Sequence, residues 1–185
     1  MTVDAVVQSR GVMAEASKAI REFFDEYAKA TGSLDLAFLG TAYGDTFMFA
    51  GPGGVQAVKR DDFLKAVPKR GAFFRAAGLV ASEVRRLEEM RLDEKHTMVQ
   101  AQWNLRFEKE PGRPIIDESA ATYILRRQEN SLQIVFQLDH QDLTKRLNEL
   151  GCCRPRAKVP SNIALEPSAP MKLRAPRLSA STLDG

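Results

Sequence analysis

Asp139-His140-Gln141-Asp142 is the most chemically loaded tetrapeptide of the chain. A carboxylate beside an imidazole can hold one ring nitrogen and leave the other free to move a proton. The tetrapeptide follows an alternating segment, Leu132–Asp139, in which Ile134, Phe136 and Leu138 share one face. His140 has the same parity, so alternation turns it toward the core and turns Asp139 the other way. His140 and Asp139 are the candidate acid–base residues. The competing structural reading has Asp142 capping the next helix and His140 packing at the sheet's end. His96 is the only other histidine and opens a different strand. A site of two histidines and one carboxylate would need both, so no metal is expected. Gly51–Gly54 lacks the Gly-Lys-Ser or Gly-Lys-Thr of a phosphate loop, and no cofactor is expected.

The second set of candidates is aromatic. Tyr27, Tyr43, Phe49, Phe74, Trp103, Tyr123 and Phe136 could line a ligand cavity as rigid apolar walls. Core packing accounts for most such rings, and a buried tyrosine hydroxyl needs a partner in either case. Trp103, the only tryptophan, fits a cavity wall, a simple core position or a contact between two sheets. Arg106 and Glu118 fall on neighbouring strands and read as a surface pair.

The elements that must position these residues are legible as periodicities. Ile20, Phe23, Phe24 and Tyr27 recur at helical spacing within a helix from about 13 to 30, which Gly32 should end in a left-handed conformation. Ser33 should cap a shorter helix reaching about Tyr43. Residues 45–50 and 55–58 read as a hairpin around Gly51-Pro52-Gly53-Gly54. A third helix starts at Asp61 or Asp62, is broken or kinked at Pro68, and resumes from Ala72 until Gly78. Three long strands and one shorter follow. Residues 79–92 alternate irregularly, as a bent or bulged strand does. Residues 96–108 alternate cleanly, with Val99, Ala101, Trp103, Leu105 and Phe107 on one face. Residues 115–126 and 132–139 complete a meander with turns at Pro111-Gly112 and Asn130-Ser131. Leu143, Leu147 and Leu150 share one side of a final short helix that Gly151 ends.

The chain has 185 residues, 44% apolar and 28% charged, the profile of an ordinary globular domain. No apolar run is long enough for a transmembrane helix, and MTVDAVVQSR does not read as a secretory signal, so none is expected. The net charge of +3 resides in the tail. Residues 152–185 carry six basic and two acidic residues, which leaves 1–151 at −1. Nucleic-acid binding calls for a basic stripe on the folded surface and is not expected, and neither is a membrane partner. Residues 154–185 hold five of the nine prolines and lack a core-forming period. We expect a flexible N-terminus over 1–12, a folded domain over 13–151 and a Pro-rich basic disordered tail over 152–185. The adjacent Cys152 and Cys153 read as reduced thiols of a cytoplasmic protein.

The expected class is α+β. A strongly curved antiparallel sheet should wrap around the N-terminal helices in the order α-α-β-β-α-β-β-β-β, then a short helix. Such a cone leaves a blind apolar pocket wherever the helices fail to fill it.

The helix EFFDEYAKATGSLD, the passage AYGDTFMFAGPGGV, the helix entry RDDF and the ending QIVFQLDHQDL together resemble the nuclear transport factor 2-like superfamily, in particular its SnoaL-like branch. The resemblance spans residues 13–150 and implies the cystatin-like cone. It also implies a homodimer through the outer sheet face, common among its members. Ketosteroid isomerases of this superfamily carry an Asp-Pro base at the end of the first strand. Here that position is Gly51 before Pro52, and their first-helix tyrosine falls near Phe24 or Asp25. Steroid-type isomerisation by that apparatus is therefore not implied.

The leading expectation is a domain that binds a small apolar or amphipathic molecule in the cone, as a homodimer. One alternative is a metal-free cyclase, isomerase or hydratase using His140 and Asp139. A second is a non-catalytic interaction module.

Overall fold

The computed structural model describes residues 11–129 and 131–149. The expectations for the first ten residues, Asn130, Leu150, Gly151 and the tail 152–185 fall outside them. A two-residue strand, β1 (Ala14–Glu15), precedes helix α1 (Lys18–Ser33). It pairs antiparallel with Glu88–Glu89, so the helix starts later than its apolar spacing alone suggests. Ser17 ends that strand by donating from its backbone nitrogen and its Oγ to the Glu89 carboxylate, at 3.0 and 2.9 Å.

The helical period buries Ile20, Phe24, Tyr27 and Ala30. Gly32 lies inside the helix and does not end it. The left-handed residue is Leu34, at φ 61°. That conformation is costly for a leucine, and tertiary packing holds it. A Cβ on Gly71 would stand 2.6 Å from Leu34 Cδ2, so the leucine sits directly on the glycine of a later helix. The expected cap at Ser33 also moves. Asp35 Oδ1 accepts from the backbone nitrogens of Ala37 and Phe38, both at 3.0 Å, and starts α2 (Leu36–Ala42). Ser33 instead donates back to the Lys29 carbonyl.

Strands β2 (Tyr43–Gly51) and β3 (Gly54–Lys59) form the expected hairpin, with Gly51 opposite Gly54. Gly54 has φ 122°, which a residue with a side chain rarely adopts. Helix α3 (Arg60–Ala76) runs without a break through Pro68. Pro68 is exposed, so the carbonyl it leaves without an amide donor lies on the water side, where solvent can serve it. Gly78, at φ 92°, turns the chain into the meander.

The meander is β4 (Leu79–Arg91), β5 (His96–Glu108), β6 (Pro114–Gln128) and β7 (Ser131–Asp139), followed by α4 (Leu143–Glu149). Asp142 Oδ1 accepts from the Lys145 nitrogen and caps α4 as expected. The sheet order is β1-β4-β5-β6-β7-β2-β3. Every pairing is antiparallel except β2 with β7. Those two strands are joined through α3 and the whole meander, so no tight turn imposes an antiparallel partner.

The α+β class and the element order are borne out, with β1 as the addition. The long strands curve around the helices, and irregularities mark the bends. Register shifts fall at Leu79/Ala81 and Val84/Arg86 of β4, which meets the expectation of a bulged strand. Another falls between Ile124 and Leu125 of β6, where β7 passes from Phe136 to Ile134. Val135 is the extra residue there.

Candidate functional site

The bulge at Val135 decides what faces the interior. Simple alternation puts Ile134, Phe136, Leu138 and His140 on one side. With one residue inserted, Ile134 and Gln137 are the buried pair, and everything beyond the bulge changes face. Phe136 pairs with Ile124 and Leu138 with Thr122 on the outer face. The inward parity expected for Phe136 and His140 thus passes to Gln137 and Asp139. His140 is exposed. Its backbone nitrogen donates to the Ala120 carbonyl, and its Nε2 lies 2.9 Å from Thr122 Oγ1. His96 sits at the start of β5, with Nδ1 2.9 Å from Asp93 Oδ2. That bond, with two backbone donors, holds the Asp93 carboxyl at about 2.

Inside the cone, four of the candidate rings come together. Tyr27 from α1 and Tyr43 from β2 meet Trp103 of β5 and Tyr123 of β6, all buried. Phe24 stands between them, with ring centres 5.0 Å from Tyr123 and 6.2 Å from Trp103. Tyr27 is 6.1 Å from Trp103, and Tyr43 packs 4.4 Å from Phe47 and 4.6 Å from Phe63. Rings fill the narrow part of the cone, where a blind apolar hollow was expected. Two surface hollows lie elsewhere. One, of about 280 Å³, is bounded by Glu15, Arg21 and residues 85–88. The other, of about 660 Å³, lies between α2, the start of α3 and the start of β7.

The polar atoms of this interior form a directed string. Tyr43 donates its hydroxyl proton to Gln137 Oε1 at 2.7 Å. Its oxygen is then the acceptor for the Tyr27 hydroxyl, also at 2.7 Å. Gln137 Nε2 donates to Asp139 Oδ1 at 2.8 Å. Every donor thus points toward the Asp139 carboxylate. Asp139 Oδ2 lies 3.7 Å from Arg70 Nη2 on α3, and the guanidinium stands 5.6 Å over the Phe74 ring. The Asp139 side chain is 19% exposed and that of Arg70 40%, so the string runs from the core to the rim of the cone. Burial raises the pKa of all three tyrosines, Tyr43 and Tyr123 well above the ordinary value. They are therefore neutral hydrogen-bond donors at physiological pH.

Phe49 and Phe74 are half-buried against this core. Phe49 is in register with Gln137, on the inner face beside the string. Asp139 also lies next to Gly51. A Cβ there would stand 3.7 Å from the Asp139 carbonyl oxygen.

Gln137, Arg70 and Asp117 were not candidates from the sequence. Asp117 is a buried inward carboxylate of β6, and Arg146 of α4 donates to its Oδ1 from Nε and Nη2 at 3.1 and 2.9 Å. Alternation does put Asp117 on the Tyr123 face. A charged residue at an inward parity was the available signal. Gln137 had none, because a bulge leaves no local mark in β7.

A cone of this order defines the class: a cystatin-like α+β domain with an inward polar string. Residues 14–142 match the family described as NTF2-like protein (DUF6841), and the chain belongs to that family. Solved structures of the same fold include Aln2 from a Streptomyces species, at 13% identity and TM-score 0.58, covering 72% of this chain and 99% of that one. An NTF2-like protein with a cystatin-like fold from Novosphingobium aromaticivorans shares 14% identity at TM-score 0.56, covering 70% and 86%. The beta subunit of benzoate 1,2-dioxygenase from Burkholderia mallei shares 13% at TM-score 0.54, covering 71% and 94%. At such identities the likeness speaks for the fold alone. No curated protein matches the sequence. No helix among the described residues is long and apolar enough to cross a membrane.

Proposed function

We propose that this protein binds a small amphipathic molecule at the rim of its cone. The molecule's polar end meets Arg70 and Asp139, and its apolar part lies on the half-buried rings of Phe49 and Phe74. The observation that carries this reading is the directed string from Tyr27 through Tyr43 and Gln137 to Asp139. Burying such groups is costly, and apolar residues would fill the same space more cheaply. Their alignment on a carboxylate at a partly exposed rim supports a recognition role. An acid–base role for Asp139 would use this string; His140, on the outer face, would serve it only from across the sheet.

The domain acts as a homodimer through the outer sheet face. The pairings place Met90, Met98, Ile124, Phe136, Met48 and Ala57 in one row across six strands. Leu138, Ala50 and Val55 extend it on one side. No helix among the described residues covers this face, and a standard interface needs about 800 Å² per partner. The reduced thiols expected at Cys152 and Cys153 fit a cytoplasmic setting.

Trp103 provides the test. Its fluorescence and the thermal midpoint should change saturably with medium-chain amphiphiles. Absence of any saturable change up to about 1 mM, where binding free energy falls to about 4 kcal/mol, would refute the reading.

A further inference from the structure

Resting on that binding site, we propose that the ligand's polar end is an anion, a carboxylate in the first instance, and that Arg70 selects it. Arg70 makes no hydrogen bond among the described residues. Its one ion pair there, to Asp139 Oδ2, spans 3.7 Å, and its guanidinium lies over the face of Phe74. A guanidinium has five donors in a planar fork that matches a carboxylate. Other arginines near the core are committed. Arg146 donates twice to Asp117 Oδ1, Arg60 pairs with Asp45 at 2.9 Å, and Arg21 donates to the Ala16 carbonyl.

Asp139 is the less exposed partner, and both its oxygens face donors: Gln137 Nε2 on Oδ1 and, more loosely, Arg70 on Oδ2. The tyrosines below it are neutral, and their protons are already taken up along the string that ends on Asp139. The unanswered demand at the rim is therefore for acceptors, and a cationic head group would meet the guanidinium first. Phe74 holds the fork from beneath, which limits the rotamer freedom lost when an anion docks.

The test titrates the full-length chain with decanoate, decanol and decylamine, following Trp103 fluorescence and calorimetric heat. Decanoate should bind about 10- to 100-fold more tightly than decanol, the usual worth of charge-assisted hydrogen bonds. Arg70→Gln should erase that preference by weakening decanoate alone. Asp139→Asn keeps an acceptor for Gln137 and removes the competing charge, so it should tighten decanoate several-fold. Equal binding of decanoate and decanol by the wild type would overturn the proposal and leave the binding site standing. A preference that survives in Arg70→Gln would overturn it as well. If no probe binds, the site itself fails, and the proposal with it.

Discussion

Replacing Tyr43 with phenylalanine removes one oxygen from the middle of the buried string and nothing else. The ring keeps its contacts with Phe47 and Phe63. Two hydrogen bonds of 2.7 Å disappear. Gln137 Oε1 loses its donor, and the Tyr27 hydroxyl loses its acceptor. Both residues are 7% exposed, so water has little access to replace the missing atom. An orphaned buried polar group costs about 1–3 kcal/mol, and two together should cost about 2–4 kcal/mol. For a folded domain of this size that lowers the thermal midpoint by about 6–12 °C. Urea unfolding followed by Trp103 fluorescence and circular dichroism measures it, provided the slope with denaturant stays constant. Adding Gln137→Leu removes the orphaned carbonyl and should recover about 1 kcal/mol, because deleting both partners is cheaper than deleting one. A Tyr43→Phe protein within about 0.5 kcal/mol of wild type would refute the reasoning, since the string would then be hydrated or unformed.

The chain has three tyrosines, and burial raises the pKa of each. Their contribution to stability is therefore complete below the ordinary tyrosine pKa, near 10, and is lost as pH rises through the folded-state values. Tyrosinate absorbance should appear together with unfolding; a tyrosine that titrates near 10 in the folded protein would contradict the burial. Arg146→Met leaves Asp117 buried without its guanidinium and should cost about 2 kcal/mol, read by urea unfolding. Asp35→Ala removes both capping bonds of α2 and should cost about 1 kcal/mol in the same assay. Ile124→Lys puts a charge in the middle of the outer apolar row, and sedimentation should show the proposed dimer of the wild type becoming a monomer; a variant that sediments like the wild type would refute a dimer through this face.

Much of the fold was written in local patterns. The 3.6-residue spacing of Ile20, Phe24 and Tyr27 marks one buried helix face, and the alternation from Val99 to Phe107 marks one buried strand face. Glycines at 54 and 78 mark turns that only they adopt cheaply. These signals depend on neighbours a few residues away, so a sequence carries them openly. The same patterns named Tyr27, Tyr43, Trp103 and Tyr123 among seven candidate rings, but left Trp103 open between the interior and a contact between sheets.

The remainder depended on contacts between distant segments. A leucine at 34 could take a left-handed turn because Gly71, far along the chain, leaves room for its side chain. An asparagine or glycine would have announced that turn; a leucine did not. Most of all, one extra residue at Val135 reversed the faces of the last strand. It put Gln137 and Asp139 inside and turned Phe136 and His140 outward. A bulge belongs to a pair of strands, set by how β7 fits between β6 and β2 as the sheet bends. The residues of β7 alone do not encode it, so the string that joins Tyr27 to Asp139 exists only in the folded chain.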